Sequence, residues 1–468
     1  MAERILINPL TRISGFLQVE VEVENGVVRQ AINSGLLFRG FEKILLNRSP
    51  LDAVYFTQRI CGICSAAHSM ASSLALENAL DVTPSEQGRI LRDIVHGCEF
   101  LQNHIRHFYQ YTLPDYVRMP DKLPLFDTVG NDFRMPEEEN KILSDHYFES
   151  LKISMQAHDM LAVLGGKAPH NHGIFIGGVT VRPDTDSIIQ MKSVLSTIKA
   201  FVTTKMTEDM NLIAYYYPDY FRMGSGCKNL LSYGCFNQYD SIGTLYLNSS
   251  AYLDGQQVSF DARNITESID YAWYSGQDNY KPFETVSEPD MQKQKAYSWI
   301  KAPRYLKRPC EVGPLARQIL SGCYPNRISA MDRTAARVSE TRKIIDILSV
   351  LLDNVIPGVD TQSRYEIPQQ AKGVGLIDTT RGALGHWLKI NNKVISFYQI
   401  ITPSVWNFST RDKQFLGPSE LSLIGTPIVD SKNPVEIGRI LRSFDPCVSC
   451  ATHVLCPEQE AKTYQVMS

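Results

Sequence analysis

Two Cys-x-x-Cys pairs stand near opposite ends of the sequence, and they are the residues best suited to chemistry. The pairs are Cys61 with Cys64 and Cys447 with Cys450, and a histidine follows each pair a few positions later. Two such turns can direct all four sulfurs at one centre, and four thiolates select a soft or borderline metal ion such as zinc, nickel, iron or copper. The sequence therefore predicts a metal site, and Arg59 is placed to lower the pKa of the nearby thiols.

Three kinds of site compete for these cysteines. In structural zinc sites the metal replaces a missing core, and the ligand pairs lie within a few tens of residues. Here 383 positions separate Cys64 from Cys447, in a chain of 468 residues that is long enough to fold without a metal. A thioredoxin-like dithiol would not explain two pairs, and neither pair follows a predicted βαβ strand. We favour a buried redox metal, with structural zinc and the dithiol as alternatives.

The composition is that of a globular protein. Hydrophobic residues make up 43% and charged residues 21% of the chain, with a net charge of −3. These values exclude disordered, collagen-like and coiled-coil chains, and the balanced charge argues against nucleic-acid binding. An apolar run of 18 residues is lacking, so we expect no membrane span. The N-terminal residues lack a secretory signal pattern, so we expect synthesis in the cytoplasm without a signal of the chain's own.

The positioning elements begin and end with β structure. Residues 17–23 alternate between apolar and polar types, and Asn25-Gly26 follows as a type I′ hairpin turn. Near the C-terminus, residues 383–390 and 393–401 alternate around Asn391-Asn392 and predict a second hairpin. Short strands are expected between these regions, in the segment from 217 to 310.

Helical periodicity dominates the rest of the chain. Long helices are predicted over residues 86–113, 137–164, about 185–215 after capping residues, and 329–353. We therefore predict a predominantly helical α+β fold, with a central bundle of long helices and β-hairpin elements near both termini. Because no Pro/Gly/Ser-rich linker divides the chain, residues 1–453 are expected to form a single compact domain.

Both cysteine clusters resemble the signatures of the nickel–iron hydrogenase large subunit. The matching stretches are Arg59-Ile60-Cys61-Gly62-Ile63-Cys64 with His68, and Asp445-Pro446-Cys447-Val448-Ser449-Cys450 with His453. Further matching stretches are residues 11–13, 38–42, 165–170, 177–179, 301–305, 311–317, 381–387 and 398–399. The resemblance covers nearly the whole chain. It implies the large-subunit fold and a catalytic subunit that splits H2 heterolytically, in the direction of H2 oxidation, and passes electrons to an iron–sulfur small subunit.

The resemblance also assigns the metal ligands. All four paired cysteines would bind nickel, and Cys64 and Cys450 would bridge to an iron that carries carbon monoxide and cyanide. Cys447, or the group at Arg381, would accept the proton from H2. The Arg381 guanidinium would lie over the diatomic ligands, and Asp445 could pair with it. For Arg381 a surface position, and for Asp445 a helix N-cap, are the alternatives.

A magnesium ion is implied near the C-terminus. Glu42, His453 and the backbone carbonyl of Ile400 match the residues that hold it in this family. A carboxylate and a carbonyl suit a hard cation, whereas histidine is a less typical ligand. His68 would orient a cysteine sulfur by a hydrogen bond, or serve as a satisfied core histidine.

Three positions depart from the family pattern. Ser14 stands where many relatives have a glutamate that takes a proton from a nickel-bound cysteine. Serine does not store a proton at neutral pH, but its hydroxyl can relay one. Either the proton leaves by another route or Ser14 acts in a water chain, and we expect the water chain. Asn103 stands where some relatives have aspartate, and Thr380 where a proline often precedes the arginine.

The resemblance extends to processing and partners. Residues 454–468 would be a C-terminal extension that a maturation protease removes after the nickel-insertion machinery has acted. The small subunit could carry the chain to the membrane or the periplasmic face and pass electrons to a membrane acceptor; otherwise the protein would stay cytoplasmic. The alternative functions are a regulatory H2 sensor of the same family and a structural zinc protein with four cysteine ligands.

Overall fold

A computed structural model describes residues 3–120, 132–284 and 287–451, except the side chains of residues 450 and 451. It is 41% helical and 22% strand, which confirms the predicted α+β class. The helices are α1 (Phe41–Ile44), α2 (Asp52–Thr57), α3 (Ser65–Leu80), α4 (Glu86–Arg106), α5 (Glu137–Gly165), α6 (Thr185–Phe201), α7 (Thr207–Tyr216), α8 (Pro314–Leu320), α9 (Ala330–Asp353), α10 (Pro403–Asn407), α11 (Pro418–Leu423), α12 (Val435–Ser443) and α13 (Val448–Ala451).

The four longest predicted helices form the central bundle. Helix α4 packs against α5 and α9, and α6 packs against α5 and α9. A π-type segment, His107–Thr112, extends α4, and a second, Val202–Met206, joins α6 to α7. The helix caps lie where the sequence predicts them. Asp184 accepts a hydrogen bond from the Ser187 amide at the start of α6. Gly166 ends α5 with a φ of +75°. The bundle prediction is confirmed.

The strands form small antiparallel sheets. They are β1 (Glu3–Ile7), β2 (Leu17–Glu24), β3 (Val27–Gly35), β4 (Ile174–Phe175), β5 (Gly178–Val179), β6 (Leu230–Cys235), β7 (Leu247–Leu253), β8 (Gln256–Ser259), β9 (Ile265–Ser268), β10 (Tyr274–Ser275), β11 (Glu288–Pro289), β12 (Ala302–Tyr305), β13 (Gln370–Thr379), β14 (Gly382–Asn391) and β15 (Val394–Ile401). Strands β2 and β3 pair around Asn25-Gly26, as predicted. Strands β6, β7 and β8 form one three-stranded sheet.

The C-terminal sheet differs from the prediction in two respects. The turn between β14 and β15 is at Asn392-Lys393, one residue later than predicted, with φ values of +52° and +64°. A third strand, β13, pairs with β14 along its whole length. This strand packs on α3, where a Cβ on Gly373 or Gly375 would lie 2.1 Å from a carbonyl oxygen of that helix. Glycine is therefore required for the close contact between strand and helix.

Among the described residues, the helices are all too short or too polar to cross a membrane. One main hydrophobic core joins the bundle to the N-terminal and C-terminal sheets. Cys61, Cys64 and Cys447 all belong to this core, so both cysteine motifs contribute to it. The single compact domain over residues 1–453 stays a prediction.

Candidate metal centre

The N-terminal segment holds the second cysteine motif in place. Ser14 forms a parallel bridge with Cys447: the Ser14 amide donates to the Pro446 carbonyl at 3.1 Å, and the Val448 amide donates to the Ser14 carbonyl at 2.7 Å. The next residue, Gly15, has a φ of +92°, and a Cβ there would lie 2.4 Å from the Ser449 amide nitrogen. A glycine is thus required where the segments meet.

Three of the four predicted thiol ligands converge. Cys61 follows the helical turn Gln58–Ile60 in an extended conformation, and Cys64 directly precedes α3. The sulfurs of Cys61, Cys64 and Cys447 all lie within 4.8 Å of one another, and those of Cys61 and Cys447 are 3.3 Å apart. All three residues are buried. Such a sulfur-only set fits a soft or borderline metal, as predicted.

The side chains of two predicted ligands lie outside the described part of the structure. The backbone of Cys450 belongs to α13, but its side chain is not described, and His453 follows the last described residue. Their ligand roles stay predictions. Strand β15, which carries Ile400, packs against α1, which carries Glu42. The structure thus brings together the elements that hold two of the three predicted magnesium ligands.

A small cavity adjoins the cysteines. Its lining includes Cys64, Cys447, His68, Arg381 and Ser404. Sequence reasoning did not single out Ser404, whose hydroxyl accepts a hydrogen bond from the Cys447 amide at 3.0 Å. Ser404 lies in the first turn of α10, directly after β15. Its position just after the predicted C-terminal hairpin is the feature of the sequence that could have identified it.

Arg381 lies in this cavity wall at the turn between β13 and β14. It is 3% exposed, so the alternative of a surface arginine is wrong. Its Nη2 donates to Asn103 Oδ1 at 2.8 Å and lies 2.9 Å from Asp445 Oδ1. Burial would lower the pKa of Arg381, but Asp445 and the three described thiol ligands hold it well above its usual value. The guanidinium therefore stays charged beside the cysteines.

The expected pairing of Asp445 with Arg381 is confirmed. Asp445 precedes the cysteine motif with a φ of +58°, and α13 begins only at Val448, so Asp445 is not the N-cap of that helix. Its Oδ2 accepts a hydrogen bond from Asn103 Nδ2 at 2.7 Å. Burial would raise the pKa of Asp445, but Arg381, together with Arg337 and the hydrogen bond from Asn103, holds it below the usual value.

The predicted effect of Arg59 on the thiol pKa values stays a prediction. The Arg59 side chain is exposed, whereas Arg381 interacts electrostatically with the three described thiol ligands. The cation therefore comes from a residue 320 positions after Cys61. A guanidinium held by a buried carboxylate is a fixed charge, unlike an exposed arginine that solvent screens.

A buried carboxyl near this cluster was also missed. Glu99 of α4 accepts hydrogen bonds from the amides of Ala66 and Ala67, at the start of α3, at 2.8 and 3.0 Å. Burial raises the pKa of Glu99 to about 7, and those amides together with Arg381 limit the rise. The nearby Cys64 precedes the same helix. The carboxyl thus anchors the first cysteine motif to the bundle.

Ser14 reaches the cysteines through a second hydroxyl. Its Oγ is 2.6 Å from Ser449 Oγ, which is 3.7 Å from the sulfur of Cys447. Sequence reasoning named Ser14 but missed Ser449, the middle residue of the second Cys-x-x-Cys turn. The three groups form a continuous polar row.

Comparisons with known proteins agree with this geometry. The profile of the nickel-dependent hydrogenase family matches residues 39–125, 126–327 and 322–453. The periplasmic [NiFeSe] hydrogenase large subunit of Desulfomicrobium baculatum is 36% identical over 97% of this chain and 96% of its own length. The hydrogenase-2 large chain of Escherichia coli K12 is 30% identical over 97% of this chain and 98% of its own.

Solved structures give the same result. The Ni-Fe-Se hydrogenase of Desulfovibrio vulgaris Hildenborough superposes with a TM-score of 0.93 at 35% identity, over 97% of this chain and all of the compared chain. A reduced, active form of the Ni-Fe-Se hydrogenase from Desulfomicrobium baculatum also gives a TM-score of 0.93, at 36% identity, over 96% of this chain and all of that chain. The chain belongs to the nickel-dependent hydrogenase family, as a large, catalytic subunit that acts on H2.

Proposed function

We propose that this hydrogenase large subunit holds nickel with Cys61, Cys64, Cys447 and Cys450, and that Cys64 and Cys450 share their sulfurs with an iron. The observation that carries this proposal is the convergence of three buried sulfurs within 4.8 Å beside the charged Arg381. The bound metals would supply Lewis acidity for heterolytic cleavage of H2. Sharing thiolates between two cations also relieves the excess negative charge of four thiolates on one ion.

The cavity wall suits small ligands on the iron. We propose carbon monoxide and cyanide ligands there, because the buried Arg381 guanidinium offers fixed donors and Ser404 offers a hydroxyl. Asn103 and Asp445 hold Nη2 of the guanidinium, at 2.8 and 2.9 Å. This fixed orientation lets Arg381 direct its remaining donors at the cavity without reorganising during the reaction.

We propose that protons leave the cysteines through hydroxyl groups. A proton taken up at Cys447 would pass to Ser449 Oγ and then to Ser14 Oγ, since these atoms are separated by 3.7 and 2.6 Å. Ser14 is only partly buried, so its hydroxyl would pass a proton on to solvent water. Each hydroxyl can accept one proton while it donates another, so neither needs to ionise. The two serine hydroxyls would thus replace the glutamate that many relatives have at the position of Ser14.

Serine-to-alanine variants test the row. Ser449→Ala and Ser14→Ala should each lower H2 oxidation and H/D exchange on the order of 10²-fold, the lower limit for losing a positioned proton-transfer group. Ser449→Thr, which keeps a hydroxyl, serves as the control and should retain most of the activity. Unchanged H2 oxidation and H/D exchange in either alanine variant would rule out the row, because the proton must pass through both hydroxyls.

We also propose magnesium at Glu42, the Ile400 carbonyl and His453. The charge of Glu42 acts on Glu267 and Lys301, so this region is already rich in ionic groups. Metal analysis of the purified enzyme, with and without chelator, checks the assignment. Substitution of Glu42 by Gln should lower the magnesium content without removing nickel, because the carboxylate lies outside the cysteine cluster.

The remaining functional proposals concern partners and location. We propose a heterodimer with an iron–sulfur small subunit that works in H2 oxidation. Both Cys-x-x-Cys pairs of this chain are assigned to the nickel–iron centre, so the clusters that accept its electrons would belong to the partner. A periplasmic location would match the Desulfomicrobium baculatum relative. Removal of residues 454–468 by a protease after nickel insertion, and electron transfer to a membrane acceptor, complete the proposal.

Infrared spectroscopy and metal analysis of the purified enzyme test the proposal as a whole. Nickel with iron, together with bands of bound carbon monoxide and cyanide, is the expected result. Zinc alone would revive the structural alternative, which the family match disfavours. The same metals with negligible turnover would indicate the H2 sensor instead. Intact mass would show whether the chain ends at His453.

A further inference from the structure

Arg39 contacts the backbone of both cysteine motifs. It lies in the connection between β3 and α1, and its Nη1 donates a hydrogen bond to the Arg59 carbonyl at 3.2 Å. Its Nη2 donates to the Ile60 carbonyl and, at 2.6 Å, to the Ser449 carbonyl. Ile60 directly precedes the first cysteine of one pair, and Ser449 directly precedes the second cysteine of the other. One partly buried guanidinium thus joins segments from the two ends of the chain.

The planar guanidinium suits this position because its donors have a fixed arrangement. Nη2 carries two hydrogens in the plane of the group, and each serves a different cysteine motif. The carbonyls of Ile60 and Ser449 are therefore held at a separation that the guanidinium determines. A lysine ammonium also has three donors, but it is a point charge on a flexible stem and has no fixed plane.

Aromatic contacts fix the direction from which Arg39 approaches. Its guanidinium carbon lies 4.9 Å from the centroid of the Phe41 ring, and Phe41 is buried. A cation over an aromatic face is attracted to it. On the other side of Arg39 in the sequence, Phe38 stacks on Trp299 with the ring centroids 4.8 Å apart. The segment that carries the arginine is thus anchored both before and after it.

The contacts of Arg39 reach the cysteines through rigid peptide units. The Ile60 carbonyl belongs to the peptide plane that ends at the Cα atom of Cys61, and the Ser449 carbonyl belongs to the plane that ends at the Cα atom of Cys450. Because a peptide unit is planar, a displaced carbonyl moves the next Cα atom with it. A change in the separation of the two carbonyls therefore changes the separation of the two cysteine pairs.

A simple capping role does not account for all of these contacts. Arg59 and Ile60 lie at the end of the helical turn Gln58–Ile60, where carbonyls lack partners within the turn and a cation is favourable. Capping would explain the two hydrogen bonds from Arg39 to that turn. It does not explain the bond of 2.6 Å to Ser449, which belongs to the other motif.

We propose that Arg39 is a positioning residue for the metal centre: its guanidinium, shared between the Ile60 and Ser449 carbonyls, sets the separation of the two Cys-x-x-Cys motifs. Arg39 acts through the backbone of both motifs. This inference rests on the proposed nickel–iron centre, because the diatomic ligands on the iron report on the arrangement of the thiolates around the metals.

Arg39→Gln in the full enzyme tests the inference. Glutamine has a shorter side chain with a single NH2 group, so it does not span three carbonyls. The carbon monoxide and cyanide bands should shift or broaden, and kcat for H2 oxidation should fall on the order of 10²-fold at unchanged KM, as expected for a displacement of about 1 Å at a reacting centre. Arg48→Gln is the matched control, because Arg48 also donates to a carbonyl, that of Ile44 at 2.8 Å, and also lies over a phenylalanine, Phe56, at 4.2 Å. Its spectrum and turnover should match those of the unmodified enzyme.

Three results would overturn the inference. Unshifted bands in Arg39→Gln would do so, and so would an equal shift in Arg48→Gln. Arg39→Lys keeps the positive charge, and full recovery of the bands and turnover in this variant would show that charge alone is sufficient.

A crystal structure of the unmodified, metal-loaded enzyme gives a result even if Arg39→Gln does not fold. Nη2 of Arg39 is expected within hydrogen-bond distance of both carbonyls, and contact with only one motif would contradict the inference. An enzyme without diatomic bands contradicts the proposed metal centre, whereas bands that ignore Arg39 contradict only its positioning role.

Discussion

Substitution of Gly15 by alanine tests whether the N-terminal segment positions the second cysteine motif. Gly15 follows the residue that bridges to Cys447 and has a φ of +92°. An added Cβ would lie 2.4 Å from the Ser449 amide nitrogen and 2.9 Å from the Val448 carbonyl carbon. Both neighbours are backbone atoms of the metal-binding turn, so relief of the overlap must move either that turn or the N-terminal segment.

The size of the effect follows from two contributions. An L-residue at a positive φ costs about 1–2 kcal/mol of folding free energy. Ordinary contacts of a Cβ begin near 3.4 Å, so the backbone must move by about 1 Å. A displacement of that size at a reacting centre lowers turnover on the order of 10²-fold. We therefore expect a modest loss of stability and a large loss of nickel content or H2 oxidation.

A second glycine separates these contributions. Gly255 has a φ of +91°, and a Cβ there would have no heavy atom within 4 Å. Gly255→Ala thus carries the same backbone strain without the overlap, at the turn between β7 and β8. Thermal unfolding, nickel content and H2 oxidation of both variants are the measurements. Equal turnover in the two variants would refute the reasoning, because strain alone would then explain the result.

Two further variants test the fold around the site. Burial would raise the pKa of Asp115, but Arg12 and Arg442 lower it to about 2. The ionised carboxylate therefore stabilises the folded state at any pH above its unfolded pKa of about 4. This stabilisation is lost as the pH falls toward 2. Asp115→Asn should therefore lower the free energy of unfolding by about 2 kcal/mol at pH 7 and make it depend less on pH between about 4 and 2. An unaltered pH dependence in denaturant titrations would contradict the assignment. Gly375→Ala places a Cβ 2.1 Å from the Ala71 carbonyl oxygen and should destabilise the chain by about 1–3 kcal/mol; an unchanged melting temperature would show that β13 can separate from α3.

The sequence was most informative where the pattern is local. The long helices follow from apolar residues at helical spacing and from their caps, as at Asp184 and Gly166. Strand β13 was missed because both of its faces are largely covered and because two of its positions are the glycines that contact α3. Close approach of backbones removes the alternation on which strand prediction depends.

In the candidate site, too, local patterns were predictable and contacts between distant residues were not. Cysteine spacing and family resemblance identified three sulfurs that the structure brings together. The support around them depends on residues that are distant in sequence, such as Asn103 and Arg381, and spacing alone does not predict their contacts. Arg59 is near Cys61 in the chain and is exposed, whereas the buried guanidinium that interacts with the thiols belongs to Arg381. Each Cys-x-x-Cys pair is visible in the sequence, whereas the tertiary fold brings the two motifs together and places Arg381 beside them.

The separation of the two cysteine motifs in the sequence determines when the metal site can form during biosynthesis. Cys64 leaves the ribosome 383 residues before Cys447, which at typical elongation rates is roughly 20–80 seconds. During translation the early pair has no partner sulfurs from the second motif, and the cavity lacks the Asp445 carboxylate that holds Arg381. A complete metal-binding pocket can therefore arise only after the second cysteine motif has been synthesised, so binding of the metals by both motifs must follow translation of Cys450.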